Sequence, residues 1–276
     1  MSETTDRNLG DVAETLLITL YIRAMESQRP DALLKDEKAV AFVGQMGSDL
    51  AWIKQIKMDE DDKVGIILRN REVDRYARDF LARYPEAVVV HIGCGLDSRF
   101  ERVDNGQVEW YDLDLPEVIS LRRKFIGGEG ARYHLLACSV LEHAWLDTVS
   151  VHGPRPFFFV AEGVFQYLEE AQVKSLVLTL RDHFPGAELV CDAFSPYIVR
   201  MNNLRMALSK KSVRYHWGLK RGTDLEGWGE GICLLGEWFP FDRPEPRLAH
   251  VRWMRHIPLF ARVMGVFHYR LGKTAG

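Results

Sequence analysis

The sequence predicts an α/β fold in which a seven-stranded, mostly parallel sheet carries helices on both faces and an N-terminal helical lid. Before Pro85, apolar residues recur at the spacing of helices. After Pro85, short β-branched and aromatic runs alternate with helical segments about five times within roughly a hundred residues, which is typical of βαβ units. These runs are almost continuously apolar, as in strands buried between two helical layers. We therefore expect a Rossmann-like arrangement.

The composition is that of an ordinary globular protein. With 36 basic and 39 acidic side chains among 276 residues, the chain has a net charge of −3 and lacks the basic excess of a general nucleic-acid binder. A hydrophobic content of 47% excludes a disordered chain. No uncharged apolar run reaches the roughly 18 residues of a membrane span, and the polar start lacks the features of a signal peptide. We expect a cytoplasmic protein without nucleic-acid or membrane partners.

Four cysteines, at positions 94, 138, 191 and 233, are widely separated, and no two are spaced as CxxC. Neither a zinc site nor a disulfide framework is therefore expected. The sequence does not indicate the oligomeric state.

The N-terminal region is expected to be helical. Pro30 separates two groups of apolar residues at helical spacing, and a third helical run over Val64–Leu81 carries many arginines. The two groups are Val12, Leu16 and Leu20, then Leu33, Val40 and Val43.

The predicted strands follow in order. Five of them are Val88–Ile92, Val108–Asp114, Ala131–Cys138, Pro156–Val164 and Ala187–Phe194. Pro116–Phe125 is expected to be a helix because proline is favoured in a first helical turn. Leu168–Phe184 has an amphipathic pattern that Pro185-Gly186 ends.

The last part of the chain is less regular. Gly218–Gly231 is rich in glycine and charge and is expected to be a loop. Ile232–Phe241 and Gly265–Leu271 are predicted to be the last two strands, with helical residues over Arg247–His256 between them.

In an open parallel sheet, ligands bind just beyond the carboxyl ends of the strands. Gly93-Cys94-Gly95 follows the first strand, where glycines let the backbone turn tightly and approach a ligand. Ser98 stands where the dinucleotide-binding motif GxGxxG has its third glycine, so the turn alone is equally consistent with a purely structural role.

Asp114 ends the second strand, twenty-one residues after Gly93. An acidic side chain at about that distance accepts hydrogen bonds from a ribose. Asp112 points to the opposite face and is the alternative. A role for Asp114 as the N-cap of the next helix is compatible with ribose binding.

Glu162 follows the apolar run Phe157–Val160. Because an unpaired buried carboxylate is costly, Glu162 should face either a cationic ligand or an arginine, and both remain open. No phosphate-binding loop of the form GxxxxGK[ST] occurs, and the pyrophosphate fingerprint is incomplete. S-adenosyl-L-methionine (SAM), which has no phosphate and carries a cationic sulfonium, fits these features better than NAD or ATP.

Four ordered motifs resemble the leucine carboxyl methyltransferase family, which includes polyketide O-methyltransferases of the tetracenomycin type. They are Leu68–Arg71, His91–Arg99, Tyr111–Val118 and Ala161–Leu168. The resemblance covers residues 16–196 and is poor beyond them. It implies a class I SAM-dependent methyltransferase, with S-adenosyl-L-homocysteine (SAH) as the product.

The resemblance also implies roles for individual residues. Arg69 would grip the methionine carboxylate of SAM, to which a guanidinium can bind bidentately. Gly93 and Gly95 would pass under the methionine, Asp114 would hold the ribose, and Glu162 would lie near the amino group.

At the adenine position the chain departs from the family. Ser139 and Val140 stand in place of an Asp-Leu pair, so a carboxylate is missing there. The resemblance further implies one domain over residues 1–276, with a helical lid (1–62), a SAM-binding core (63–200) and a variable acceptor-side segment (201–276).

The expected reaction is the methylation of a carboxylate or hydroxyl on a small, polyketide-like acceptor in secondary metabolism. A carboxylate needs no general base, whereas a hydroxyl would benefit from one, and His91, His143 and His216 are equal candidates. Aromatic residues after position 214 are expected either to line the acceptor pocket or to pack in the core. Two other functions stay open: an NAD-dependent oxidoreductase, and a non-catalytic protein with a nucleotide-binding fold.

Overall fold

A computed structural model describes residues 3–46, 53, 56, 58–125, 127–208 and 214–273. Its centre is a seven-stranded sheet in the order β3-β2-β1-β4-β5-β7-β6. Strands β1 to β5 run parallel, and β7 is antiparallel to both of its neighbours. The strands are β1 Val88–Ile92, β2 Glu109–Asp114, β3 Tyr133–Ala137, β4 Phe157–Ala161, β5 Ala187–Phe194, β6 Cys233–Trp238 and β7 Met264–Leu271. The prediction of a seven-stranded, mostly parallel sheet is confirmed.

Helices precede the sheet and connect its strands. They are α1 Glu3–Ser27, α2 Glu37–Met46, α3 Glu60–Arg83, α4 Arg99–Val103, α5 Pro116–Phe125, α6 Ala144–Ser150, α7 Glu170–His183, α8 Pro196–Leu208 and α9 Pro258–Ala261. Short 3₁₀ segments lie at Phe165–Tyr167, Gly222–Trp228, Pro246–Leu248 and Arg252–His256.

The two faces of the sheet bury different side chains because successive strand residues point to opposite sides. In β1, Val88, Val90 and Ile92 belong to a core shared with residues of α6 and α7. Val89 belongs to the second core, which contains residues of α3. Strand residues that point to the second face therefore contact α3, which is rich in arginine.

The sequence-based boundaries differ from the structure mainly after β5. The sequence does not predict the helix α8, because apolar residues occur on all sides of this helix and hide its helical period. Val199 is buried, whereas Met201 and Leu204 are exposed. The expected loop over Gly218–Gly231 contains a 3₁₀ helix at Gly222–Trp228. The helical residues expected over Arg247–His256 form two separate 3₁₀ segments.

The N-terminal helices pack on the loop that follows β1. Leu20 and Ala24 of α1 form a cluster with Ala39 and Phe42 of α2 and with Leu96. Arg23 is buried at this contact, where it donates to Asp36 and to the carbonyl of Leu96. Within the predicted lid segment 1–62, residues 1, 2, 47–52, 54, 55 and 57 lie outside the described residues.

The order of the strands reverses beside β1, which pairs with β2 on one side and with β4 on the other. The connections that leave β1 and β4 therefore separate and leave a crevice above the carboxyl ends of these strands. Gly93 lies at this crevice with a φ of 61°, and a Cβ atom there would lie 2.3 Å from Cγ2 of Val164.

We expect Gly93→Ala to destabilise the protein more than Gly106→Ala does. Both glycines have positive φ, 61° and 81°, so each alanine costs about 1–2 kcal/mol in backbone strain. Nothing lies within 4 Å of a Cβ at Gly106, whereas the clash with Val164 at Gly93 adds about 1–3 kcal/mol. Urea unfolding of both variants measures the difference, and equal losses would contradict the close approach.

Candidate active site

A cavity of about 250 Å³ opens at this crevice. Its walls come from the turn after β1, the end of β2, the segment after β3, the segment after β4, and α1. Of the predicted site residues, Gly93, Asp114, Ser139 and Val140 line it. Parallel strands bring these four sequence-distant residues to one edge of the sheet.

The turn after β1 is held at both ends by the neighbouring strand. The backbone N–H groups of Gly93 and Cys94 donate to the carbonyl of Leu113 at 2.7 and 3.2 Å. Gly95 has a φ of 52°, and a Cβ atom there would lie 2.6 Å from Cδ2 of Leu16 in α1. Glycine is therefore required at both positions by backbone conformation and by close packing.

Asp114 lies at the edge of the cavity. Its Oδ2 accepts from the backbone N–H of Gly95 at 2.7 Å, and its Oδ1 accepts from that of Leu115 at 2.8 Å. Burial raises the pKa of Asp114, against the effect of these two hydrogen bonds. Each oxygen keeps a second lone pair that a ligand hydroxyl can use.

Asp112 is not available to a ligand. It is completely buried on the α3 side of the sheet, where it forms an ion pair with Arg122 and accepts from Tyr133 and from the Trp110 indole. Although burial raises the pKa of Asp112, Arg122, His91 and the Tyr133 hydroxyl together hold it below its ordinary value. Of the two aspartates, only Asp114 reaches the cavity.

Ser139 and Val140 form the wall beyond β3. The Ser139 hydroxyl oxygen accepts from the backbone N–H of Leu141 at 3.2 Å, and the Val140 carbonyl accepts from the Trp145 indole at 3.2 Å. With Cys138 and Leu115, they give this part of the cavity an apolar lining with one hydroxyl.

Arg69 and Glu162 meet directly. Arg69 Nε donates to Glu162 Oε1 at 2.8 Å, and Asn70 Nδ2 donates to the same oxygen at 2.5 Å. Arg99 donates to the second oxygen. Burial would raise the pKa of Glu162, but Arg69 and Arg99 hold it below its ordinary value. Glu162 is thus paired with arginines, which is one of the two possibilities that its sequence context left open.

The guanidinium of Arg69 has a second carboxylate partner that the sequence analysis missed. Arg69 Nη1 donates to Asp192 Oδ2 at 2.9 Å, and Asp192 Oδ1 accepts from the backbone N–H of Gly163 at 2.6 Å. Nε and Nη1 of Arg69 are therefore each already bonded to a carboxylate of the protein. Nη2 donates no hydrogen bond within the described part of the chain and lies 4.0 Å from the Cβ position of Gly163.

Beneath this pair, arginines and carboxylates form a larger buried cluster. Arg99 is completely buried, and its ion pairs with Asp74 of α3, with Asp97 and with Glu162 join three segments of the chain. Burial opposes ionisation of Asp97, yet the arginines hold its pKa well below the ordinary value. The other members of the cluster are Arg23, Asp36 and Arg102.

Two tyrosines lie beside Arg69, and one of them, Tyr215, belongs to the aromatic set that was expected either to line the acceptor pocket or to pack in the core. Tyr167 lines the cavity, and its ring contacts that of Tyr215 at a centroid distance of 5.3 Å. Burial raises the pKa of both hydroxyls. The side-chain amide of Asn203 in α8 accepts from the backbone N–H of Tyr215 and donates to the backbone C=O of Tyr215.

The three candidate histidines do not line the cavity. His91 is buried beneath it, between Arg99 and Asp112. His216 pairs with Glu169 on the surface, and His143 lines a separate pocket. The structure offers none of them as a base for the acceptor.

Most aromatic residues of the last segment pack in the core. Trp217, Trp238 and Phe239 are buried there, and Trp253 is 56% exposed. Tyr215 is the member of this set that lies beside the cavity-lining Tyr167. The others are Trp228 and Phe241, which pack against the two cores.

Across the described residues, no group of three metal-ligating side chains is present. No helix in the same ranges has the length and apolar character needed to cross a membrane.

Comparison with known proteins identifies relatives over most of the chain. The model of the leucine carboxyl methyltransferase family matches residues 16–181. The chain is 34% identical over 237 residues to the tetracenomycin polyketide synthesis O-methyltransferase TcmP of Streptomyces glaucescens, covering 86% of each protein. It is 31% identical over 187 residues to the S-adenosyl-L-methionine-dependent methyltransferase dpfgK of Gibberella zeae, covering 64% of this chain and 62% of that one.

The fold also has a counterpart among solved structures. A DUF574 family protein from Streptomyces avermitilis superposes with a TM-score of 0.55 at 15% identity, covering 91% of this chain and 96% of that one. At this identity the likeness concerns the fold.

We expect Asp112→Asn to cost about 3–5 kcal/mol of unfolding free energy, because it leaves the buried charge of Arg122 without its partner. Asp104→Asn is the control, since Asp104 pairs with Arg132 at the surface, where an ion pair contributes about 1 kcal/mol or less. Chemical denaturation measures both. A loss of similar size in the two variants would show that the Asp112 pair has no special structural role.

Proposed function

The chain belongs to the leucine carboxyl methyltransferase family and uses SAM as its methyl donor, and from this premise we propose that it is an O-methyltransferase acting on the carboxylate of a small, polyketide-like molecule. When bound, SAM supplies a methyl group on a cationic sulfur, and in-line displacement at that carbon leaves SAH. The protein then has to hold the acceptor oxygen in line with the methyl carbon and the sulfur, and to exclude water.

We assign the predicted cofactor residues to the two ends of the cavity. Gly93 and Gly95 provide a surface without side chains under the methionine, and Asp114 offers two carboxylate oxygens to the ribose. The apolar wall with the Ser139 hydroxyl, next to Val140, suits adenine. Position 139 lacks a carboxylate, so adenine recognition there depends on backbone groups and on packing.

Arg69 and Glu162 are proposed to serve the methionine end as a unit. Arg69 Nη2 is directed toward Gly163 at the cavity wall and can donate to the methionine carboxylate. Glu162 keeps Arg69 and Arg99 in place and adds negative charge near the expected position of the ammonium group. The contact is a single charge-assisted hydrogen bond instead of a bidentate one.

The N-terminal helices are proposed to act as the lid, and the last segment as the acceptor side. Thr15 and Leu16 of α1 close the cavity over the glycine turn, which supports a lid that restricts solvent access. Tyr215, held by α8, supports an acceptor position beside Tyr167.

The lining of the cavity supports a carboxylate acceptor over a hydroxyl acceptor. Within the described residues, neither histidine nor lysine lines this cavity. Tyr167 and Tyr215 stay protonated at neutral pH because burial raises the pKa of each, so they can donate a hydrogen bond but cannot take up a proton. A carboxylate is already ionised and needs no base, whereas the one carboxylate available as a base to an alcohol among the described lining residues is Asp114, which we assign to the ribose.

The two acceptor classes give chemically different products, which provides the test. We would incubate the enzyme with methyl-labelled SAM and pairs of aromatic polyketide-like compounds that carry either a carboxyl or a phenolic group. Methyl esters release labelled methanol in mild alkali, and methyl ethers do not. We expect alkali-labile label from the acids. Label that is entirely stable to alkali would overturn the carboxylate assignment in favour of a hydroxyl.

We expect Asp114→Asn to weaken SAM and SAH to similar extents, by about 1–3 kcal/mol, which is the scale of lost hydrogen bonds to a charged group. Both ligands carry the same ribose, so both should be affected. Titration calorimetry measures the two affinities, with Asp104→Asn as the control. Unchanged affinity in a folded Asp114 variant would place the ribose contact elsewhere.

A further inference from the structure

The strand β5 carries one charged side chain at each end of its α3-facing row. Glu188 and Asp192 are both buried, and each pairs with an arginine of α3, Arg83 and Arg69 respectively. The residue between them on this face, Val190, is apolar and completely buried. The two carboxylates thus both pair with α3 from opposite ends of the strand, Glu188 having His268 as a further partner, and only Asp192 is at the end where the cavity opens.

Asp192 uses both of its oxygens in this position. Oδ1 accepts from the backbone N–H of Gly163 at 2.6 Å, and Oδ2 accepts from Arg69 Nη1 at 2.9 Å. Gly163 has a φ of 72° and lines the cavity. A single buried carboxylate therefore holds both the turn after β4 and the arginine behind it.

The guanidinium plane of Arg69 is determined by two carboxylates. Glu162 binds Nε and Asp192 binds Nη1, so the remaining nitrogen, Nη2, can only point in one direction, toward Gly163. Without Asp192, Arg69 would keep one anchor and could rotate about it. The direction of Nη2 thus depends on Asp192 and not on the Glu162 pair alone.

Burying this carboxylate is costly. The side chain is completely buried between the apolar Cys191 and Ala193, and burial raises the pKa of Asp192 against the opposing effect of Arg69. Packing alone does not call for a carboxylate here, because β4 and β5 are already joined by their ladder.

We propose that Asp192 is a positioning residue for the cofactor, which directs Arg69 Nη2 and the Gly163 turn toward the methionine end of SAM. The inference rests on the proposed contact between Arg69 and the methionine carboxylate. Asp192 acts through Arg69 and does not itself touch the ligand. Because SAM and SAH share the methionine carboxylate, both depend on it.

The test compares Asp192→Asn with Glu188→Gln by titration calorimetry with SAM and SAH. An asparagine replaces one of the two acceptor oxygens with an NH₂ group, so in this arrangement either the N–H of Gly163 or Nη1 of Arg69 faces a donor instead of an acceptor. We expect Asp192→Asn to weaken both ligands about tenfold, the usual effect of losing one hydrogen bond to a charged group. Glu188→Gln should lower the apo melting temperature and leave both affinities unchanged. A purely structural role for Asp192 would make the two variants behave alike, and that result overturns the proposal.

The dependence on Arg69 gives a second readout. We expect Arg69→Gln to weaken both ligands, and adding Asp192→Asn to that variant should cause little further loss, because the two residues act as one unit. A full additional loss overturns the positioning role. If Asp192→Asn leaves affinity unchanged while Arg69→Gln lowers it, the inference fails and the proposed cofactor site stands. If neither changes affinity, both fail.

A variant that keeps the charge covers the case in which Asp192→Asn does not fold. Asp192→Glu retains two acceptor oxygens but displaces them by one methylene. We expect a folded protein whose affinity for SAM and SAH falls severalfold, and unchanged affinity in that variant overturns the proposal.

Discussion

The buried pairing of carboxylates with arginines between the sheet and α3 is the constraint on which the site depends. A carboxylate in this layer is tolerated only with a partner, because desolvating an unpaired charge costs several kcal/mol. Arg99 satisfies the requirement for Asp74, Asp97 and Glu162 together, and each of these lies on a different segment of the chain. The ion pairs consequently define where α3, the loop after β1 and the end of β4 stand relative to one another.

The same principle explains how one strand supplies two aspartates with different roles. The expectation that Asp112 points to the opposite face from Asp114 is wrong, because residues two apart in a strand lie on the same side. Asp112 lies within the buried layer, and Asp114 lies at its rim. Through Arg122, Asp112 holds the carbonyl of Gly95, and Asp114 holds its N–H. The backbone N–H and C=O of Gly95 are thus both held by aspartates of β2. These contacts keep the turn in a conformation that leaves its cavity side open to a ligand.

Alternation of apolar strands with helices was sufficient to predict the sheet, and the positions of Gly93 and Asp114 at strand ends were sufficient to place them at the cavity. Ser139 and Val140 were identified only through the family resemblance. What could not be derived was the pairing of charges across the chain. Helical spacing describes which side of α3 is buried, but it does not reveal which carboxylate Arg69 will meet. Asp192 had a detectable signal as a charge between the apolar residues Cys191 and Ala193 of β5. Tyr215 was among the aromatic residues that could line the acceptor pocket, but the sequence did not distinguish it from the others, because its position depends on α8, whose helical period is hidden by apolar residues.

The antiparallel strand β7 affects the order in which the sheet can form during synthesis. It lies between β5 and β6 and pairs with β5 along the whole length of that strand, from Ala187 opposite Leu271 to Phe194 opposite Met264. During synthesis, β1 to β5 emerge long before β7, so β5 remains an open sheet edge until the last strand has left the ribosome. An open apolar edge is a template for pairing with other chains. Protection of that edge in the nascent chain is therefore a condition for a high yield of folded protein.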